Sequence, residues 1–345
     1  MTSPRLLAAV ALALTACTDH CGCGAGAAAR TPTPTAKAAP AYKLMQRTLT
    51  VEEVERQVWR PGVQARFEPT TVAEREALAR LVPAMARAAR GAAAPDLPAW
   101  NDTAHDVGFR VEEWQVAGGR YWALVELPER RRGAGAYLFR VAAGTPPART
   151  LLLEAPHAYY DVGTGPLAAA IFFDPPPGAA PAALFTNTIH RYQAADGTKL
   201  KRPDSPADVC HNPDHVFTTA TTAFADAIGG VTVVQLHGFG SDDDSDLAGV
   251  AAVVSAGDAA TSSPRSAAVA AALAPMLGDG VRRFPEEVDR LGATTNVQVR
   301  ALRRVAGADL VHVEMSGDVR AGLRRDPARR GSFAAALLGA VVEAP

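Results

Sequence analysis

From Thr150 onward, short apolar runs alternate with stretches of helical spacing. The runs are Leu151 to Ala155, Ala183 to Thr186, Val231 to Leu236, Val250 to Ser255 and Leu310 to Met315. Helices are predicted at Gly165 to Phe173, Asp214 to Ile228, Ser263 to Leu277 and Ser332 to Val342. A strand that is apolar throughout is covered on both faces. Such strands, separated by helices, predict an α/β fold with a mostly parallel mixed sheet flanked by helices.

The residues before Thr150 follow a different pattern. Thr50 followed by Val51, Glu52 and Glu53 reads as a helix start. Thr71 to Arg90 carries Ala73, Leu78, Leu81, Val82, Met85 and Ala88 at helical spacing, with Pro83 expected to kink or split the helix. After Pro98, Phe109 to Val116, Arg120 to Leu127 and Ala136 to Val141 read as strands, the first two joined by a turn at Gly118-Gly119. Residues 42–149 are therefore expected to form a small α+β region preceding an α/β domain at 150–345.

The chain opens with a short positive start at Arg5 and an apolar run, Leu6 to Leu14. That run suits the core of a signal peptide and is too short for a transmembrane helix. It ends in Leu14-Thr15-Ala16-Cys17, which resembles the lipobox of bacterial lipoproteins. The resemblance implies a signal peptide at 1–16, lipidation of Cys17, and attachment to the envelope of a bacterium on its periplasmic or outer face. Residues 17–41, rich in Ala, Gly, Pro and Thr, read as a flexible tether, with Cys21 and Cys23 inside it. Lys and Arg total 35 against 36 for Asp and Glu, a net charge of −1. That balance, without a long basic run, argues against a nucleic-acid partner. The membrane is then met through the lipid anchor alone.

In an open α/β sheet, ligands bind at the carboxyl ends of strands. Those ends here carry His157 and Asp161, then Asn187, His190 and Arg191, then His237, with Glu314 inside the last run. Two neutral imidazoles and one carboxylate can hold Zn²⁺ and leave a fourth position for water. The bound ion lowers the pKa of that water towards about 7 and polarises a carbonyl. His157 and Asp161, four residues apart, suit one ion, with His237 arriving from another strand. Glu314, a carboxylate among apolar neighbours, suits the general base and acid, or else a structural ion pair with Arg320. Gly240 to Asp246 reads as an acidic rim loop. No Gly-x-Ser-x-Gly element supports a serine hydrolase.

Glu154-Ala-Pro-His157-Ala-Tyr-Tyr-Asp161, Asn187-Thr-Ile-His190-Arg191-Tyr192, Ser205-Pro-Ala-Asp208, Gln235-Leu-His237-Gly238-Phe239 and His312-Val-Glu314-Met-Ser316 stand in that order. Together they resemble the N-formylglutamate amidohydrolase-like group within the zinc carboxypeptidase-like fold, across residues 151–320. The resemblance implies a zinc-dependent hydrolase of amide or peptide bonds next to a carboxylate. It implies His157, Asp161 and His237 as ligands of one Zn²⁺ and Glu314 as general base. Arg191 with Asn187 would hold an anionic substrate group, and His211 and Arg320 stand nearby as further substrate-binding candidates. Three residues separate His157 from Asp161 where zinc carboxypeptidases have two, and Asp208-Val-Cys210-His211 stands where relatives carry Asp-x-Asn-Arg. His211, with Cys210 as a soft donor, is therefore an alternative ligand. A small acidic or envelope-derived peptide is the expected substrate. A non-catalytic lipoprotein that binds a ligand or partner through the same fold is the competing expectation.

Overall fold

A computed structural model describes residues 44–59, 66–142, 149–200, 205–240 and 247–344. The segments read from the sequence as a signal peptide and a tether, Cys17, Cys21, Cys23 and most of the acidic loop at 240–246 lie outside the described residues. Among the described residues, no helix is long and apolar enough to cross a membrane.

The first elements are strand β1 (Met45–Leu49) and helix α1 (Val51–Val58). Thr50 closes a capping box with Glu53, each satisfying a backbone N–H of the other. Thr71 and Glu74 repeat the device at the start of α2 (Val72–Ala89). Pro83 lies inside α2 without splitting it. Buried Leu81, Val82 and Met85 on either side hold the segment against the core despite the missing N–H. Helix α3 (Leu97–Asp106) follows, then strands β2 (Phe109–Val116), β3 (Gly119–Glu126) and β4 (Ala136–Arg140). The tight turn between β2 and β3 uses Ala117 and Gly118, both at positive φ, so Gly119 already belongs to β3.

The second half runs β5 (Thr150–Ala155), α4 (Thr164–Phe173), β6 (Ala183–Thr186), α5 (Val216–Ile228), β7 (Val231–Gly238) and β8 (Ala252–Ser255). It ends with α6 (Pro264–Leu277), β9 (Val281–Arg283), α7 (Val297–Leu302), β10 (Asp309–Met315), α8 (Gly317–Arg325) and α9 (Pro327–Glu343). All ten strands form one sheet in the order β1-β2-β3-β4-β6-β5-β7-β10-β8-β9. From β6 to β9 every neighbouring pair is parallel except β10 with β8. This is the α/β fold with a mostly parallel mixed sheet that the sequence predicts. The strands on either side of residue 150 meet at the antiparallel pair β4–β6.

Side-chain alternation divides the sheet into two apolar faces. Leu151, Leu153, Val234, Leu236, Val311 and Val313 face one core with α4, α6, α8 and α9. Leu152, Val233, Leu310 and Phe185 face the other with α2, α3, α5 and α7. The period of two also places Glu154, Gln235, His237, His312 and Glu314 on the second face. There the inner strands turn polar toward their carboxyl ends.

Candidate active site

The strand register brings the polar residues together. Glu314 of β10 pairs with His237 of β7, and His312 pairs with Gln235, which in turn pairs with Glu154 of β5. Below them runs a buried hydrogen-bonded chain. Thr221 of α5 donates to Glu154 Oε1 at 2.5 Å, Gln235 Nε2 donates to Glu154 Oε2 at 2.7 Å, and Asn296 Nδ2 donates to Gln235 Oε1 at 2.8 Å. This floor fixes the side chains of three elements under a cleft of about 240 Å³. The cleft is walled by His157, Arg191, Cys210, His237, His312 and Glu314, with the 291–296 loop opposite.

His157 opens the turn after β5, and its ring centroid lies 4.8 Å from that of His237. Asp161 packs behind these two rings. Its Oδ2 accepts from His237 Nδ1 at 3.1 Å and lies 3.7 Å from His157 Nδ1. It is 3% exposed and forms no part of the cleft wall. The predicted carboxylate thus orients His237, because the turn closed by Asp161 N–H on the His157 carbonyl directs it inward. The cleft-facing donor that stands with the two imidazoles is Cys210. The ligating atoms of His157, Cys210 and His237 all lie within 4.8 Å of one another, and all three residues are buried. His237, His312 and Glu314 form a second such group on the same wall.

Arg191 is spoken for. Its Nε and Nη2 donate to Asp208 Oδ2, its Nη1 to His157 Nδ1 at 3.2 Å, and its Nη2 to His211 Nδ1 at 3.3 Å. The guanidinium also lies over the rings of Tyr160 and Tyr192. Asp208 in turn lies 3.0 Å from His157 Nε2. Arg191, from the loop after β6, thus stands beside Asp208. His211 is half-exposed at the rim, 3.1 Å from Thr295 Oγ1. Asn187 is fully buried away from the cleft wall, with Nδ2 unpartnered. Arg320 donates to the carbonyls of Val162, Phe239 and Met315, so it fastens loops together and forms no ion pair with Glu314.

The electrostatics follow from this burial. Desolvation raises Glu314 to about 7, against the pull of His237 and His157. Its Oε2 is buried with no hydrogen-bond partner. Burial pushes the Cys210 thiol up, but the imidazoles of His157 and His237 outweigh it and bring it down to about 6. Burial lowers His237, and the bonds to Asp161 and Cys210 reverse that, taking it up to about 9. Asp161 is held well below the usual carboxylate range by the same imidazoles despite its burial. Burial and neighbouring His237 hold His312 well below the ordinary imidazole range.

The residues suit a divalent cation once His157 gives up one of its contacts to it, since its Nδ1 and Nε2 here meet Arg191 and Asp208. Imidazole and thiolate are donors that zinc prefers, and Glu314 Oε2 is an orphaned acceptor on the same wall. Sequence reasoning located His157, His237 and Glu314 at strand ends but gave no role to His312, Asp208 or the Glu154–Gln235–Asn296 floor. Glu154, Gln235, His312 and Asp208 stand within the motifs of the sequence without a role of their own, and Asn296 stands outside them.

No family model matches the chain, and no curated protein matches it by sequence. Among solved structures it is similar to a gene product of Agrobacterium tumefaciens, with 18% identity over 56% of this chain and 90% of that one and a TM-score of 0.36. N-formylglutamate amidohydrolase from Ralstonia eutropha shows 13% identity over 56% and 93%, with a TM-score of 0.33. N-acetylmuramoyl-L-alanine amidase from Clostridium difficile shows 12% identity over 57% and 96%, with a TM-score of 0.31.

Proposed function

We propose that this chain is a metal-dependent hydrolase of an amide or peptide bond in a small acidic or envelope-derived substrate. The observation that carries the reading is the meeting of His157, His237 and Glu314 around one cleft, with Glu314 Oε2 buried and unpartnered. His157 and His237 would hold the cation, and zinc suits their chemistry. When bound, such an ion polarises a carbonyl oxygen and acidifies water. Glu314, raised to about 7 by burial, is suited to accept a proton from water and return it to the leaving amine. Asp161 holds His237 with Nε2 turned toward the cleft. Arg191 is the sole Arg or Lys among the described residues of the cleft wall, and it retains one N–H beyond its bonds to Asp208, His157 and His211. That favours a substrate bearing a carboxylate. Export and a lipid anchor at Cys17 would place such an activity among envelope peptides.

Glu314→Gln tests the role of the base. Hydrolysis of N-acylated acidic amino acids and short acidic peptides should fall by about 10²- to 10⁴-fold, with zinc retained at the wild-type stoichiometry. Full activity in the variant removes Glu314 from the mechanism. A zinc-loaded wild type that binds these compounds without turning them over supports the non-catalytic reading instead.

A further inference from the structure

We infer that Cys210 is the third protein ligand of the cation, and that Asp161 serves behind His237. This deepens the hydrolase reading and rests on it. The thiol stands where the two imidazoles converge, with Sγ 4.0 Å from His237 Nε2 and the ligating atoms of His157, Cys210 and His237 mutually within 4.8 Å. Its backbone is fixed on both sides. Cys210 N–H donates to Asp208 Oδ1 at 3.1 Å, and Val297 N–H donates to the Cys210 carbonyl at 2.9 Å. Asp208 is itself clamped by Arg191 and His157, so the loop after Ser205 is built to hold that sulfur in place. The carboxylate predicted for the role has no face on the cleft. Replacing it by a thiolate keeps the ligand set at two neutral imidazoles and one anion, and the thiol proton leaves to solvent as the ion binds.

The row Cys210–His237–Asp161 also has the order of a nucleophile, its base and an orienting carboxylate. A nucleophile requires one base, however, and here a second buried imidazole, His157, faces the same sulfur. That surplus donor favours coordination.

Cobalt reports the ligand directly, because thiolate-to-Co²⁺ charge transfer absorbs strongly in the near-ultraviolet, whereas imidazole and carboxylate ligands give only weak visible bands. The full-length chain with Cys17, Cys21 and Cys23 changed to Ser carries one remaining thiol. On titration with Co²⁺ it should bind one ion and develop the near-ultraviolet band. Asp161→Asn in that background should keep the band while losing about 10- to 100-fold in affinity, as expected when a group that orients a ligand is removed. Cys210→Ser should lose the band. One bound Co²⁺ with no near-ultraviolet band overturns the thiolate assignment and leaves the metal-dependent reading standing. Asp161→Asn that binds no Co²⁺ while the parent binds one overturns the place given to Asp161 behind His237. No bound Co²⁺ in the parent overturns both the thiolate assignment and the metal-dependent reading.

Discussion

Glu154 lies fully buried at mid-sheet, and both of its oxygens accept hydrogen bonds from neutral donors. Burial raises its pKa from the ordinary 4.5 to about 7, although Thr221 and Gln235 pull it down. An acid whose folded pKa exceeds its unfolded value favours the fold in its protonated form. The contribution is complete below about pH 4.5 and is lost as pH rises through about 7. The stability difference between wild type and Glu154→Gln, measured by urea unfolding of metal-free protein, should therefore drift against the wild type across that window by on the order of 3 kcal/mol. A difference independent of pH would show that Glu154 titrates alike in the folded and unfolded chains. At this scale the sequence was readable where chemistry follows a strand. His157, His237 and Glu314 each end or sit within an apolar run. Cys210 was harder to place, because it follows no strand and owes its position to Asp208 and Arg191, which meet only in the folded chain. Arg320 misled for a related reason: a basic residue near acidic ones suggests an ion pair, and nothing local reveals that its partners are backbone carbonyls.

That same arginine constrains the end of β7. A Cβ on Gly238 would lie 1.9 Å from Arg320 Nη1 and 2.3 Å from its Cζ. Arg320 is 8% exposed and ties α8 to the carbonyls of Val162 and Phe239, so it has little room to retreat. Gly238→Ala should cost about 2–4 kcal/mol in chemical denaturation, the range expected when buried hydrogen bonds to a charged group are stripped. Unchanged stability would mean that the guanidinium swings aside without loss. Elements announced by their own ends were legible, as α1 and α2 are by their capping boxes. Pro98 marked the end of one pattern in the sequence yet proves to be the second residue of α3, where the missing N–H costs nothing. Strands β1 and β9 are not legible in the sequence because both are short, β1 is largely exposed and β9 ends in two arginines, and pairing with a neighbouring strand is what defines them.

At the scale of the whole molecule, the change of pattern near residue 150 does not coincide with a gap in the structure. Strands β4 and β6 pair from Ala136 with Thr186 to Phe139 with Ala183, and each apolar core draws residues from both sides of the change. Tyr137 and Phe139 meet Phe185 edge-on, and Phe139 meets Phe224 at a tilt, so separating the halves would expose an unpaired strand edge and a face of aromatic rings. Residues 150–345 alone should therefore fail to fold. The intact chain carries its own reporter of this coupling. All four tryptophans, Trp59, Trp100, Trp114 and Trp122, precede residue 150, while six of the nine described helices follow it. Tryptophan fluorescence is thus weighted toward the first half, with Trp59 also touching Thr186 of the second, and far-ultraviolet circular dichroism is weighted toward the second. Because one sheet joins them, the two signals should trace a single coincident transition in urea. Fluorescence that changes at a clearly lower urea concentration than circular dichroism would show that the second half stands without the first, and the shared sheet would then not be what holds the cleft in shape.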